Sequence, residues 1–248
     1  MSGHSHYATI KRQKEGRDAA KGKIFSKLAR GIQIAVKAGG GPDPNANYKL
    51  RMVVDAARSA NMPKDNIERA ISKASLSDEN IEEVVYEGFG PSGVGVIVET
   101  ATDNRNRTGQ EIKNIFERGG GSMAGPGSVA FNFEPKGLIL LKKVNKVEEQ
   151  MLKLIDVGVD DIQETDDALE VYVSPDKLSE IRTKLIDQGY DITTSEIIRR
   201  AKNFQIVEDP SAAKKVLDFL EVLEEQDDVQ KVFANVDIPD NVLLEANK

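Results

Sequence analysis

The spacing of apolar residues changes once along this chain, near residue 76, and that change limits the folds open to it. Before it, apolar residues recur every three or four positions, as in helices that bury one face. The three patterns run from Ile24 to Val36, from Leu50 to Ala57 and from Ile67 to Ala74. They predict a small helical domain over residues 1–76.

From residue 81 the apolar residues alternate, which is typical of strands with one buried face. The segments "EEVVYEGFG" and "VGVIVETAT" are predicted strands joined by a Gly/Pro turn at residues 90–93. Val94, Val96 and Val98 in the second segment share one face. This part of the chain is therefore predicted to begin with a hairpin.

A helix is predicted next, over residues 106–118, because its apolar residues return to helical spacing. The Gly-rich segment "RGGGSMAGPGS" follows it and predicts a loop. Val129, Phe131 and Phe133 then alternate in "SVAFNFE", which predicts a further strand.

Residues 137–199 read strand, helix, strand, strand, helix, strand, the βαββαβ order of a ferredoxin-like unit. The remaining segments are a strand at 203–208, a helix at 211–225 and a strand at 229–236. Joined to the strand, helix and strand of 94–134, they make a second βαββαβ unit. The predicted fold class is α+β, with an N-terminal helical domain and two ferredoxin-like α/β domains. The third domain (137–199) is predicted to be inserted in the second (80–136 plus 200–248).

The net charge of −7 conceals a segregation of sign. Residues 1–73 hold 15 Lys/Arg against 6 Asp/Glu, a net +9, and residues 74–248 hold 19 against 35, a net −16. Such asymmetry indicates a polyanion partner for the basic part, although a solvated Lys-rich helix surface explains the composition equally well. The candidate nucleic-acid-binding residues lie off the apolar stripes and are Lys11, Arg12, Lys14, Arg17, Lys21, Lys23, Lys27, Arg30, Arg51 and Arg58.

Cysteine is absent from the sequence, so disulfides, thiolate metal sites and a cysteine nucleophile are excluded. Apolar runs are only a few residues long, and no apolar segment of signal-peptide type follows the basic N-terminus. These features predict a cytosolic protein without a membrane partner.

Several motifs that suggest chemistry fail in context. "GFGPSG" at 88–93 matches a dinucleotide-binding pattern, but a strand follows it rather than a helix, so a hairpin turn is predicted. His4 and His6 alone make a poor zinc site. The acidic pairs at 160–161, 166–167 and 227–228 are predicted to be solvated turn or cap residues. No general acid-base or nucleophilic constellation is present, which predicts a non-enzyme without metal or cofactor.

The stretch "TDNRNRT" at 102–108 joins a predicted strand to a predicted helix. Asn106 or Thr108 can cap the helix, while Asp103 and Asn104 can close the turn. Two arginines remain unexplained. They indicate either a contact site for RNA phosphate or an acidic partner, or a buried structural ion pair with one of the many carboxylates in this half.

The stretches "GHSHYATIK", "KGKIFSKLAR", "NMPKDNIERAI", "YEGFGPSGV", "TDNRNRT" and "GSVAFNFEPKG" together resemble the YebC/PmpR family, whose mitochondrial relatives are translational activators of cytochrome c oxidase. The family motif falls on Gly3, His4, Ser5, Asp103, Asn104, Arg105, Asn106, Arg107 and Thr108. The chain departs from the family at His6 and Tyr7, in the loop at 120–124, and at 131–133.

The resemblance implies a helical domain followed by two α/β domains. Members are widely described as probable DNA-binding transcriptional regulators, and some resemble translation factors that act on ribosomes stalled at proline-rich stretches. Both roles require contact with nucleic acid.

Structured RNA, with the ribosome as the concrete partner, is the favoured prediction. The basic residues suit phosphates more than base edges, and a long DNA duplex would repel the acidic two-thirds of the chain. A DNA-binding transcriptional regulator is the first alternative. A protein-interaction adaptor, whose acidic domains bind a basic partner, is the second. The sequence leaves the oligomeric state open.

Overall fold

The computed structural model of the protein describes residues 18–38, 40–76, 81–144, 146–165 and 168–246, with side chains from residue 22 onward. In chain order the elements are α1 (Asp18–Ala38), α2 (Tyr48–Ser59), α3 (Lys64–Leu76), β1 (Glu82–Phe89), β2 (Gly95–Thr102), α4 (Arg105–Arg118), β3 (Ser122–Ala124), β4 (Phe133–Lys142), α5 (Val147–Val157), β5 (Asp161–Glu164), β6 (Ala168–Val173), α6 (Leu178–Asp187), β7 (Ile192–Ala201), β8 (Gln205–Ile206), α7 (Pro210–Glu225), β9 (Val229–Ala234), β10 (Val236–Asp237) and α8 (Asp240–Ala246). None of the helices in these ranges is long and apolar enough to cross a membrane.

The chain forms two compact units. The first comprises Met1–Phe133 and Ala201–Lys248, and the second, Glu134–Arg200, is inserted between those two stretches. The helical part and the first sheet thus belong to one unit, and the division into three domains stays a prediction.

The three N-terminal helices pack through the apolar stripes that the sequence predicts. Ile32, Leu50, Val54 and Ile67 are buried in one cluster, because the three- and four-residue spacing places them on inner faces. Asn47 caps α2: its side-chain oxygen accepts from the Leu50 amide at 3.0 Å. Its Nδ2 atom also donates to the Ala35 and Gly41 carbonyls, at 2.7 and 2.9 Å, so one buried side chain joins α1, its following loop and α2.

The first unit also contains a four-stranded sheet in the order β3-β1-β2-β9, with antiparallel neighbours. The predicted hairpin is confirmed, with the turn at Pro91–Gly93 between β1 and β2. Val96 and Val98 on β2 pack with α4 and α7 on one face, whereas Ile97 packs with Val129 and Phe133 on the other. Both faces of β2 are therefore buried, which explains the unbroken apolar run at residues 94–98.

Two of the strands predicted for this sheet are not part of it. The strand predicted at 203–208 is the short β8, which pairs with β10 in a separate two-stranded sheet. Its place beside β2 is taken by β1, because the hairpin supplies a ready antiparallel partner. The four strands therefore lie in the spatial order of a ferredoxin-like sheet. Their order along the chain differs, because the central strand β1 precedes β2 instead of following β3. Residues 130–132 form a 3-10 turn instead of a strand, and β4 begins at Phe133.

The second unit confirms the predicted βαββαβ order. Its sheet runs β5-β6-β4-β7, with β6 antiparallel to both β4 and β5, as in a ferredoxin-like unit. Every residue of β6 is buried. The α+β class, with helices first and sheet-containing units after them, is confirmed.

Candidate nucleic-acid interface

The "TDNRNRT" stretch begins α4, and Asn104 is its N-cap. Asn104 Oδ1 accepts from the Arg107 backbone amide at 3.1 Å, and the Asn104 backbone amide donates to Thr102 Oγ1 at 2.9 Å. The prediction that Asn106 or Thr108 caps this helix is wrong, because the helix starts at Arg105. Asn104 satisfies one of the amides that every helix N-terminus leaves free.

Thr108 is buried beneath this cap and contacts a carboxylate from a distant part of the chain. Its hydroxyl donates to Asp228 Oδ2 at 2.6 Å, because a carboxylate can only accept. The Thr102 and Thr108 hydroxyl oxygens lie 2.7 Å apart. The motif threonine is therefore a structural residue that links the start of α4 to the turn before β9.

Asp228 is the centre of this cluster, with a side chain only 3% exposed. It accepts from Arg30 Nη1 on α1, from Arg107 Nη2 at 2.8 Å and from Thr108. Burial by itself would raise the pKa of Asp228, but the hydrogen bonds from Thr108, Arg107 and Arg30 outweigh it and lower this pKa below its usual range. The carboxylate is thus held in its charged form.

The two motif arginines have different surroundings. Arg107 binds both Asp228 and Asp103, the latter at 2.9 Å, and the hydrogen bond to Asp228 is the main reason that the pKa of Arg107 is raised. Arg105 is exposed, and within the described part of the chain its guanidinium has no ion-pair partner. Its backbone carbonyl accepts from the Tyr86 hydroxyl at 3.1 Å. Only one of the two arginines therefore fits the structural ion-pair interpretation.

Three basic residues of α1, Lys23, Lys27 and Arg30, contact the α/β part of the first unit. Arg30 Nη1 also donates to the Ala101 carbonyl at 3.1 Å, and Lys27 Nζ donates to the Glu224 carbonyl. Lys23 lies 3.8 Å from a Glu225 carboxylate oxygen. Cations are favoured at the C-terminal end of α7, where the helix dipole is negative. Beside these contacts lies a polar crevice of about 440 Å³, lined by Arg30, Arg107, Glu111, Glu225, Gln226, Asp227 and Asp228.

The other predicted contact residues that the structure describes face solvent. Arg58 has a side chain 71% exposed and lies 3.5 Å from Asp55, one turn back on α2. The Arg51 guanidinium lies 5.7 Å from the centre of the Tyr48 ring and is also exposed. These two arginines are available to a partner.

Comparison with known proteins identifies the family. Residues 5–77 match the model of the TACO1/YebC protein N-terminal domain, and residues 81–236 match that of the TACO1/YebC second and third domain. The chain belongs to the TACO1/YebC family. This confirms the resemblance that the sequence motifs carry.

TACO1/YebC relatives align over almost the whole chain. Proteins named probable transcriptional regulatory protein from Dictyoglomus turgidum and Chloroflexus aggregans are 47% and 45% identical, over 98% and 96% of both chains. A crystal structure of a conserved hypothetical protein from Aquifex aeolicus is similar at a TM-score of 0.83 and 42% identity. That match covers 90% of this chain and 93% of the Aquifex chain.

Part of the predicted interface of this TACO1/YebC chain lies outside the described residues. This applies to Lys11, Arg12, Lys14 and Arg17 and to the motif residues Gly3, His4 and Ser5. Lys21 belongs to α1, but its side chain also lies outside the described set. Their assignment to nucleic-acid binding stays a prediction, as does that of the described members.

The sequence does not predict two buried carboxylates in the first unit of this TACO1/YebC chain. The prediction that Asp228 is a solvated turn residue is wrong, because Asp228 is buried and its charge is satisfied by residues remote in sequence. Glu87 is also buried and accepts from the amides of Gly127, Val129 and Ala130 at 2.7, 2.7 and 2.8 Å. The unexplained arginines were the one available signal for the first; no comparable signal pointed to the second.

Proposed function

We propose that this chain is a non-enzymatic regulator of gene expression that binds nucleic acid. Its partner is the ribosome or structured RNA, and its most specific role is as a translation factor that relieves stalling at proline-rich stretches. The concrete ribosomal role rests on family resemblance. The binding of a polyanion rests on the charges of the described helices.

The observation that carries the proposal is the exposure of every cation between residues 37 and 73. The seven side chains are Lys37, Lys49, Arg51, Arg58, Lys64, Arg69 and Lys73. Their contacts with acids on the same helix, such as Lys64 with Glu68 at 3.5 Å, are exposed ion pairs of small net strength. Phosphates can therefore replace those partners at little cost.

RNA is favoured over duplex DNA by the distribution of charge. The net −16 of residues 74–248 would be repelled by a long duplex, whereas a folded RNA can place its phosphates against the helical part alone. The second candidate, a DNA-binding transcriptional regulator, is supported by the names of the Dictyoglomus and Chloroflexus relatives.

The test is co-sedimentation of the full chain with purified ribosomes across a salt series, beside binding to random duplex DNA. Arg51→Glu with Arg58→Glu is the test variant. Lys153→Glu with Lys177→Glu is the matched control, because it reverses two exposed cations in the acidic second unit. We expect the test variant to weaken ribosome association and to flatten its salt dependence by about one unit of slope per lost phosphate contact.

Each competing function gives a different result. Tight, sequence-dependent DNA binding without ribosome association would establish the transcriptional role instead. Association that does not change with salt, and that both variants retain, would indicate a protein-interaction adaptor, because phosphate contacts weaken steeply with salt.

A further inference from the structure

The 3-10 turn before β4 presents one aromatic side chain to solvent. Phe131 is 72% exposed, whereas Val129, Asn132 and Phe133 around it are buried at 2%, 8% and 7% exposure. A single exposed apolar side chain has little meaning by itself. Phe131 differs from the ordinary case because the backbone that carries it is anchored on both sides.

Before Phe131, the Glu87 carboxylate accepts from the amides of Val129 and Ala130. After it, Asn132 Nδ2 donates to the Asn203 carbonyl at 2.8 Å, and the Asn203 amide donates to Asn132 Oδ1 at 3.0 Å. These bonds, made largely by buried groups, fix the turn. The exposed ring is therefore held ready for a partner, which lowers the entropic cost of binding.

Lys202 supplies a cation beside the backbone of Phe131. It is exposed, and its Nζ donates to the Phe131 carbonyl at 2.8 Å. Because an ammonium has three donors, two remain for a ligand. The surface at this turn thus offers an exposed aromatic face and a positive charge.

We propose that Phe131 and Lys202 bind one nucleotide of single-stranded RNA. The base stacks on the phenyl ring, and the adjoining phosphate contacts the ammonium. A duplex does not suit this site, because its base faces are already stacked. An apolar pocket on a protein suits it less well, because the exposed residues that are hydrogen-bonded to this turn, Lys202 and Asn203, are polar. This inference rests on the proposed binding of RNA and assigns that RNA a single-stranded element.

The experiment measures fluorescence anisotropy of a labelled oligoadenylate RNA titrated with the full chain, beside an abasic oligomer of equal length. Base stacking on an aromatic side chain predicts that Phe131→Ala weakens oligoadenylate binding roughly 5- to 150-fold. We expect Phe131→Trp to restore it and abasic binding to change little. Lys202→Gln should weaken both oligomers. Leu244→Ala is the matched control, since it truncates an apolar side chain of similar exposure, 70%, elsewhere in the first unit.

Three results would overturn the inference. They are equal affinity of wild type and Phe131→Ala for oligoadenylate, equal loss with the abasic oligomer, and absence of oligoadenylate binding by the wild type. If Phe131→Ala abolishes ribosome association but leaves oligoadenylate binding unchanged, Phe131 binds protein. Failure of the proposed function is a separate result, because it appears as lack of salt-sensitive ribosome association by the wild type.

Discussion

Two groups of cations in the helical part look alike in sequence and have opposite surroundings in the structure. Lys23, Lys27 and Arg30 recur at four and three residues on α1, and Arg51 and Arg58 lie two turns apart on α2. The α1 group contacts the end of α7 and Asp228, whereas the α2 group is exposed. Helical spacing shows that charges share a face, but only tertiary contacts show whether that face meets solvent or the chain itself.

The difference matters for function because a charge that already has a buried partner is costly to redirect. Because Asp228 is buried, solvent screens its attraction to Arg30 less than it screens the attraction within an exposed ion pair. If Arg30 bound a nucleic-acid phosphate instead, Asp228 would stay buried with one cationic partner fewer. The exposed α2 arginines carry no such penalty, so they are the better part of the predicted interface.

The largest expected effect comes from reversing the α1 group. Lys23→Glu, Lys27→Glu and Arg30→Glu together would place carboxylates against Glu225, the negative end of α7 and buried Asp228. We expect the free energy of unfolding to fall by about 3–5 kcal/mol, as when a buried ion pair loses one partner. Urea denaturation followed by circular dichroism measures it.

The comparison variant is Arg51→Glu with Arg58→Glu, which should change the unfolding free energy by no more than about 0.5 kcal/mol because both side chains are exposed. Faster amide hydrogen exchange in α1 of the triple variant would locate the loss at the contact with α7. Equal stability of the two variants would show that the α1 group is as free in solution as the α2 group.

A smaller effect is expected from neutralising the carboxylate. Asp228→Asn keeps the shape of the side chain but removes the charge that Arg30 and Arg107 share. We expect the free energy of unfolding to fall by about 2 kcal/mol at neutral pH. This is less than for a fully buried ion pair, because both arginines are partly exposed. Asp227→Asn is the control, since its side chain is exposed. The measurement is again the urea unfolding free energy.

Wild type and Asp228→Asn together also test how the stabilisation by Asp228 depends on pH. The pKa of Asp228 is lowered in the folded state, so its contribution is fully present above the unfolded value, about 3.9, and is lost as pH falls through the folded value. The stability difference between wild type and Asp228→Asn should therefore stay constant at neutral pH and shrink below about pH 4. A difference that grew on acidification would mean that the carboxylate is not the stabilising form.

Local features of the fold could be predicted from sequence because they depend on neighbours along the chain. The spacing of Leu50, Val54 and Ala57 predicted α2, and Gly90 and Pro91 predicted the hairpin turn. The partner of β2 could not be predicted in the same way. The strand predicted at 203–208 and β1 both have strand-like patterns, and pairing depends on geometry far beyond either segment.

The same limit applies to the candidate site. The sequence indicated that "TDNRNRT" lies between a strand and a helix and that an ion pair was one explanation of its arginines. The sequence does not indicate that Asp228 is the partner of Arg107, because it lies 121 residues further along the chain among many other carboxylates. In the structure, the turn before β9 places Asp228 beside Thr108 and Arg30.

The smallest expected effect separates the two arginines of the motif. Arg107→Ala removes hydrogen bonds to Asp228 and Asp103, and because its side chain is 45% exposed we expect a smaller loss of unfolding free energy than for Asp228→Asn. Arg105→Ala should stay within about 0.5 kcal/mol of wild type, because its exposed guanidinium has no ion-pair partner among the described residues. Reduced ribosome association with unchanged stability in Arg105→Ala alone would make Arg105 a contact residue and Arg107 a structural one. Equal destabilisation by both substitutions would contradict the distinction, because it would require Arg105 to hold a carboxylate as Arg107 does.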